Sequence, residues 1–407
     1  MRLHPFDALR PTPELAAQVA AVPYDVVSRD EAATQAEGNP CSFLHVGRSD
    51  IDLPEDIDAH DPRIYRQARE ALDAFVARGV LVRDGAPALY LYRQVMDGRA
   101  QTGLVGCVHI DDYEHDVIRK HEKTRQDKED DRTRHVLTLK AHAEPVFLTY
   151  RARPELEALA EPVLSTIPLY DFVAPDGVRH TVWRISRPEP WTEAFQPVPH
   201  VYVADGHHRS ASAWRAGKER RQSNSAHRGD EEYNWFLAVL FPSEQLRILP
   251  YNRVVRDLGG KTPSDVLQLL GRVGLVSRTK NPQPAGSGAF CVYLQRTWHL
   301  VQLDSATIPG HNPIGSLDVS LLQDRVLGPI LGIGDPRTDT RIDFVGGIRG
   351  TAELERRVDS GQAAIAFSLH PTTVDQLMAV SDAGAIMPPK STWFEPKLRS
   401  GLFVHTF

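Results

Sequence analysis

The spacing of apolar residues in the first half of the chain predicts helices and strands in alternation. In "DPRIYRQAREALDAFVARG", Tyr65, Ala68, Leu72, Phe75 and Val76 recur at helical spacing on one face, and Gly79 supplies a stop. "PALYLYRQVMDGRAQTGLVGCVHI" reads as two strands joined by a polar turn at Asp97-Gly98. "EPVFLTY" and "HTVWRIS" predict further strands, and "AAVPYDVVS" a short strand or extended segment. Ser28 then caps a helix from Arg29, with Glu31 at the capping-box position. Beyond Pro250, helical patterns appear at "SDVLQLLGRVG", "LDVSLLQDRVLGPILGI" and "TTVDQLMAVSDAG", with strands at "AFCVYLQRTWHLVQLD" and "QAAIAFSLH". Hairpins mixed with helices predict an α+β protein rather than a doubly wound parallel sheet.

A chain of 407 residues is too long for one ordinary core. Two regions are expected, 1–255 and 256–407, the second an α/β region packing on the first. With 41% apolar and 25% charged residues, wholesale disorder is excluded. A formal net charge of −6 gives no global attraction to nucleic acid or an anionic membrane, so neither is an expected partner. Cys41, Cys107 and Cys291 lie far apart, which suits neither a disulfide framework nor a zinc site. With no apolar signal core at the start and no stretch of about 20 apolar residues, a cytoplasmic protein is expected.

The densest chemistry lies in "YVADGHHRSASAW", residues 202–214. A short strand meets an Asp205-Gly206 turn, and helix-compatible residues follow to about Ala216. The first turn of such a helix exposes unpaired N–H groups and the positive end of its dipole, so it attracts anions. His207, His208 and Arg209 add donors there, Arg209 with a fork suited to phosphate. Asp205 is placed to hold a magnesium ion or to orient an imidazole. A metal-hydrolase reading is weaker, because adjacent helical histidines point about 100° apart and no partner motif is present.

"RKHEKTRQDKEDDRTRH", residues 119–135, has the look of a solvated helical face. His121, Glu122, Lys123 and Thr124 nevertheless place an imidazole, a carboxylate, an ammonium and a hydroxyl within one turn, a mixture suited to phosphoryl transfer. Asp30 and Glu31 at a helix start are favoured by the dipole whatever else they do. In "NPCSFLHV", Ser42 is a possible phosphate or nucleotide contact, and in "PPKSTWFEPKLRSG" the cations Lys390, Lys397 and Arg399 could line an anion site or lie in solvent. The glycines of "FVGGIRG" and "GIGDP" match neither a Walker loop nor a dinucleotide fingerprint.

Taken in order, PYDVVSRDEA, NPCSFLHV, HEKT followed by DDR, YVADGHHRSASA, LDVSLLQD and PKSTWFEPKLRSGL resemble the bacterial and archaeal domain-of-unknown-function family 1015. Some relatives of that family are free L-serine kinases with a ParB/sulfiredoxin-like core. The resemblance implies a nucleoside phosphate on Asp205, Gly206, His207, His208 and Arg209, with Mg2+ and with ADP or ATP as donor, pyrophosphate remaining open. It implies a serine hydroxyl deprotonated by Glu31, or by its neighbour Asp30, with His121, Lys123 and His208 serving transfer. Two other readings stand beside it: a ParB-like nucleotide-gated regulator and a nucleotide phosphohydrolase. A sulfiredoxin-like branch would need a cysteine in the phosphate loop, where His207 and His208 stand instead. Dimerisation stays open.

Overall fold

The computed structural model describes residues 1–407 and divides into two compact units, Met1–Leu246 with Pro396–Phe407, and Arg247–Glu395. A single division near Arg256 therefore does not describe the chain, because the tail returns to the first unit. Val404 and Leu9 exchange both backbone hydrogen bonds, as do Ala21 and Ser400, and His405–Thr406 pairs with Ala141–His142.

The first unit is built on a nine-stranded mixed sheet. Its strands are β1 (Leu3–His4), β2 (Leu89–Met96), β3 (Arg99–His109), β4 (Ile118–Arg119), β5 (Val146–Tyr150), β6 (Tyr170–Val173), β7 (Arg179–Ile185), β8 (Val201–Asp205) and β9 (Trp235–Pro242). They lie in the order β4-β8-β5-β9-β3-β2-β7-β6, with β1 on β3. Only β4/β8 and β5/β9 are parallel, so the sheet is mixed and the α+β expectation is met. The β2/β3 hairpin turns at Asp97 and Gly98, both with positive φ (51° and 75°). That conformation matches the twist of the strands it joins, which is why Asp-Gly stands there.

The longer helices of this unit are α1 (Arg29–Ala36), α2 (Pro62–Ala77), α3 (Gln126–Leu139), α4 (Pro154–Leu164), α5 (Glu189–Phe195) and α6 (His207–Ser223). Ser28 caps α1 through a reciprocal capping box with Glu31, as its spacing predicts. α2 buries Ile64, Tyr65, Ala68, Leu72 and Phe75. Val76, expected on that face, is 46% exposed, because the stripe turns away at the last residues before the stop. "AAVPYDVVS" forms no strand; only Ala21 makes an isolated bridge, and Pro23 to Ser28 run through turns. The core under the sheet gathers Leu91, Leu104, Leu148, Trp183, Phe195, Val203 and Phe236.

α6 packs closely because its inner face is small: Ser210, Ala211, Ser212, Ala213, Ala216 and Gly217 are buried. A Cβ on Gly217 would stand 2.6 Å from both the Ile110 side chain and the Tyr233 carbonyl. The second unit carries a six-stranded sheet, wholly antiparallel, with its own core around Val254, Tyr293, Trp298 and Leu354. "LDVSLLQDRVLGPILGI" is not one amphipathic helix: Asp318–Leu322 is α-helical and Gln323–Leu327 widens into a π-turn.

Candidate functional site

The site is built where β8 hands over to α6. The β8/β5 register shifts between Val203 and Asp205, an irregularity of the kind that re-aims the side chain at a strand end. Gly206 then adopts φ 90°, a left-handed conformation that glycine takes without strain. A Cβ there would also stand 3.0 Å from Arg209 Nε. Asp205 Oδ1 accepts the Gly206 N–H at 2.8 Å, and Oδ2 receives the Lys397 ammonium at 3.1 Å. Burial pushes this carboxyl up, but Lys397 and Arg209 pull harder, holding it well below the usual carboxylate range. No side chain caps α6, a helix of 17 residues, so its first-turn donors are left to other partners.

Arg209 is 8% exposed. Its Nη1 donates to the Pro145 carbonyl at 2.6 Å, and Nη2 lies 3.7 Å from Asp25 and 3.8 Å from Asp205. Burial works against its charge, and the two carboxylates restore it. His207 stands edge-on to His121, ring centroids 4.4 Å apart. Burial holds both imidazoles at about 3, so they are neutral at physiological pH. His208 accepts the Arg125 N–H on Nε2 at 3.1 Å, which leaves the proton on Nδ1, and burial lowers its pKa also. Both nitrogens of His121, Nε2 of His207 and Nε of Arg209 are buried with no hydrogen-bond partner in the chain. Such groups are few in folded proteins, and here they converge on one helix start.

A second layer lies behind. Arg132 sits 4.1 Å over the Tyr24 ring, donates Nε to Asp131 at 2.8 Å and leaves Nη1 unpartnered. Glu144 accepts the Tyr24 N–H and the Ser400 hydroxyl, and burial pushes its pKa up despite Arg209 and Arg132. Arg132, Glu144 and Arg209 share a cavity of about 30 Å³, room for a water-sized guest.

The structure thus brings together His121, Asp205, Gly206, His207, His208 and Arg209. It does not bring the others into direct contact with them. Glu31 is exposed, with Oε2 accepting the Ser28 N–H at 2.8 Å. Ser42 is buried in a turn where its hydroxyl accepts the Leu44 N–H. Lys123 is exposed and forms no ion pair, because residues 120–125 are not helical and α3 starts only at Gln126. His121 to Thr124 therefore do not share one helical turn. Both oxygens of Asp205, the expected magnesium ligand, receive hydrogen bonds, from the Gly206 N–H and the Lys397 ammonium. Sequence reasoning gave no individual role to Asp25, Arg132 or Glu144, and it left Lys397 undecided between site and solvent.

These features define an α+β protein with a strand-turn-helix, next to one edge of a mixed sheet, that gathers two imidazoles and a guanidinium at an uncapped helix start. The chain matches the family described as a protein of unknown function, DUF1015, over residues 3–320, and it belongs to that family. No curated protein matches it. Among solved structures it is distantly similar to a free serine kinase with a glutamate-to-alanine substitution in complex with AMP. That pair shares 12% identity and a TM-score of 0.36, over 73% of this chain and 90% of the other. C-terminally truncated SbnI from Staphylococcus aureus gives 12% and 0.39, over 74% and 87%. A conserved hypothetical protein from Pyrococcus furiosus gives 13% and 0.34, over 74% and 94%. No helix is long and apolar enough to cross a membrane.

Proposed function

We propose that the protein is a small-molecule phosphotransferase that transfers the terminal phosphoryl group of ADP or ATP to the hydroxyl of free L-serine. The observation that carries the donor half is the convergence of unpartnered buried nitrogens from His121, His207 and Arg209 on the uncapped start of α6. Such a pole suits a phosphate, which takes N–H donors and a guanidinium fork at once. The acceptor half, and the ParB/sulfiredoxin-like assignment of the core, rest on the motif resemblance. Magnesium is taken to enter with the nucleotide as part of the substrate.

In the reaction the serine oxygen attacks the terminal phosphorus in line. The new O–P bond forms as the bond to the leaving nucleotide breaks, and the hydroxyl proton passes to a carboxylate. We assign that carboxylate to Glu31, with its neighbour Asp30 as alternate. Asp25 is a second reading favoured by geometry, because it lies beside Arg209 whereas Glu31 closes a helix cap. His207, His208 and Arg209 hold the phosphates, and Lys123 would have to swing in from solvent to serve.

Purified protein incubated with L-serine, magnesium and ATP, ADP or pyrophosphate should yield O-phospho-L-serine, read by mass spectrometry. Glu31→Gln should abolish transfer while nucleotide binding persists. If Asp25→Asn is the inactive variant and Glu31→Gln is active, Asp25 takes the role. Absence of phosphoserine with every donor overturns the reading.

A further inference from the structure

A second pocket, of about 340 Å³, lies in the first unit between α4 and the sheet face formed by β2, β3 and β5. It is separate from the anion site. β5 starts beside Pro145, whose carbonyl holds Arg209, and runs to Tyr150, which lines the pocket, about 13 Å at the usual rise per residue. Its size falls within the range of small-molecule sites.

The pocket is apolar in body and charged at two points. Leu156 and Trp191, both buried, form a wall. Arg93 stands on one side, fixed by Nε donating to Thr102 Oγ1 at 3.0 Å and by stacking 5.3 Å over Trp183. Glu157 and Glu161, one turn apart on α4, stand on the other. None of the three enters an ion pair, with each other or with any other side chain, so opposite charges face one space without neutralising. Tyr150, 6% exposed, also lines the pocket, and burial together with the nearby carboxylates of Glu157 and Glu244 pushes its phenol pKa up, so the hydroxyl keeps its proton.

We propose that this pocket binds a free α-amino acid with a large apolar side chain, held as its zwitterion. The carboxylate pairs with Arg93, the ammonium with Glu157 and Glu161, and the side chain lies between Leu156 and Trp191. Tyr150 hydrogen-bonds a polar end. A simple amine leaves Arg93 unanswered, a fatty acid leaves both glutamates unanswered, and a phosphate is repelled by them. The proposal does not rest on the phosphoryl-transfer reading.

The test is calorimetric titration of the full chain with L-phenylalanine and L-leucine, and with phenethylamine and 3-phenylpropionate, each of which lacks one charge. The amino acids should bind saturably, and each analogue about tenfold more weakly or worse, the loss of one charged contact. Arg93→Gln should erase the preference for phenylalanine over phenethylamine. Glu157→Gln/Glu161→Gln should erase the preference over phenylpropionate; both glutamates are exposed, so this variant is expected to fold. Nucleotide affinity should be unchanged in both variants. No saturable binding of either amino acid, equal binding of the analogues, or preferences that survive the substitutions would overturn the proposal.

Discussion

Lys397 reaches Asp205 from the far end of the chain, and its removal gives a measurable account of how the site is held. The ammonium lies 3.1 Å from Oδ2, with side chains only 15% and 27% exposed. At an effective dielectric near 20, two unit charges at that distance attract by about 5 kcal/mol, a large part offset by desolvating both. Breaking such a pair from one side costs roughly 3–5 kcal/mol, because the remaining charge stays buried. Here Arg209 at 3.8 Å and the Gly206 N–H remain to Asp205, which lowers the expected loss for Lys397→Met to about 2–3 kcal/mol. For a domain of this size, at about 2–4 °C per kcal/mol, thermal unfolding by circular dichroism should shift down by about 4–12 °C. Asp205→Asn in the Lys397→Met background should then cost far less than it does alone, with a coupling of at least about 1 kcal/mol. A loss under about 0.5 kcal/mol, or costs that simply add, would refute the claim that this ion pair orders the turn.

Arg209→Lys keeps a charge but loses the fork to Pro145 and the phosphate pole, so nucleotide affinity by calorimetry should fall about tenfold or more. Gly206→Ala forces a Cβ into a left-handed residue and against Arg209, costing about 1–2 kcal/mol in denaturant melts and weakening nucleotide binding with it. His121, His135, His180 and His207 are held by burial at about 3 and His109 at about 4. Their folded values lie below the unfolded value near 6.5, so the stability they contribute is whole above that pH and is lost progressively as pH falls from there towards the folded values of about 3 to 4. Each adds up to about 1.4 kcal/mol per pH unit, and midpoints measured from pH 7.5 to 5 should drop steeply below about 6.5; a flat profile would contradict neutral burial.

Much of the fold was legible because it follows local rules. The hairpin at Asp97-Gly98, the α1 capping box and the strand-turn-helix of β8 and α6 each announce themselves within a dozen residues. The failures are non-local. "AAVPYDVVS" has strand-like residues, yet its one bridge is to Ser400, near the other end of the chain. Arg132 sits in a charge run that looks solvated, but α3 turns it inward, over the Tyr24 ring. Glu144 is a lone carboxylate before a strand, and nothing in its neighbours tells that Tyr24 and Ser400 will meet it. Lys123, by contrast, stands where a helical register is expected and the chain is instead irregular.

The return of residues 396–407 has a consequence for biosynthesis. A ribosome delivers these residues only after the whole intervening unit has emerged, so the first unit waits for its closing strand and for Lys397. A product cut short before Pro396 would lack the cation that steadies Asp205 and the backbone that clasps Leu9 and Ala21. Premature termination would thus leave the turn between β8 and α6 without its Lys397 partner, whatever the condition of the nascent sheet.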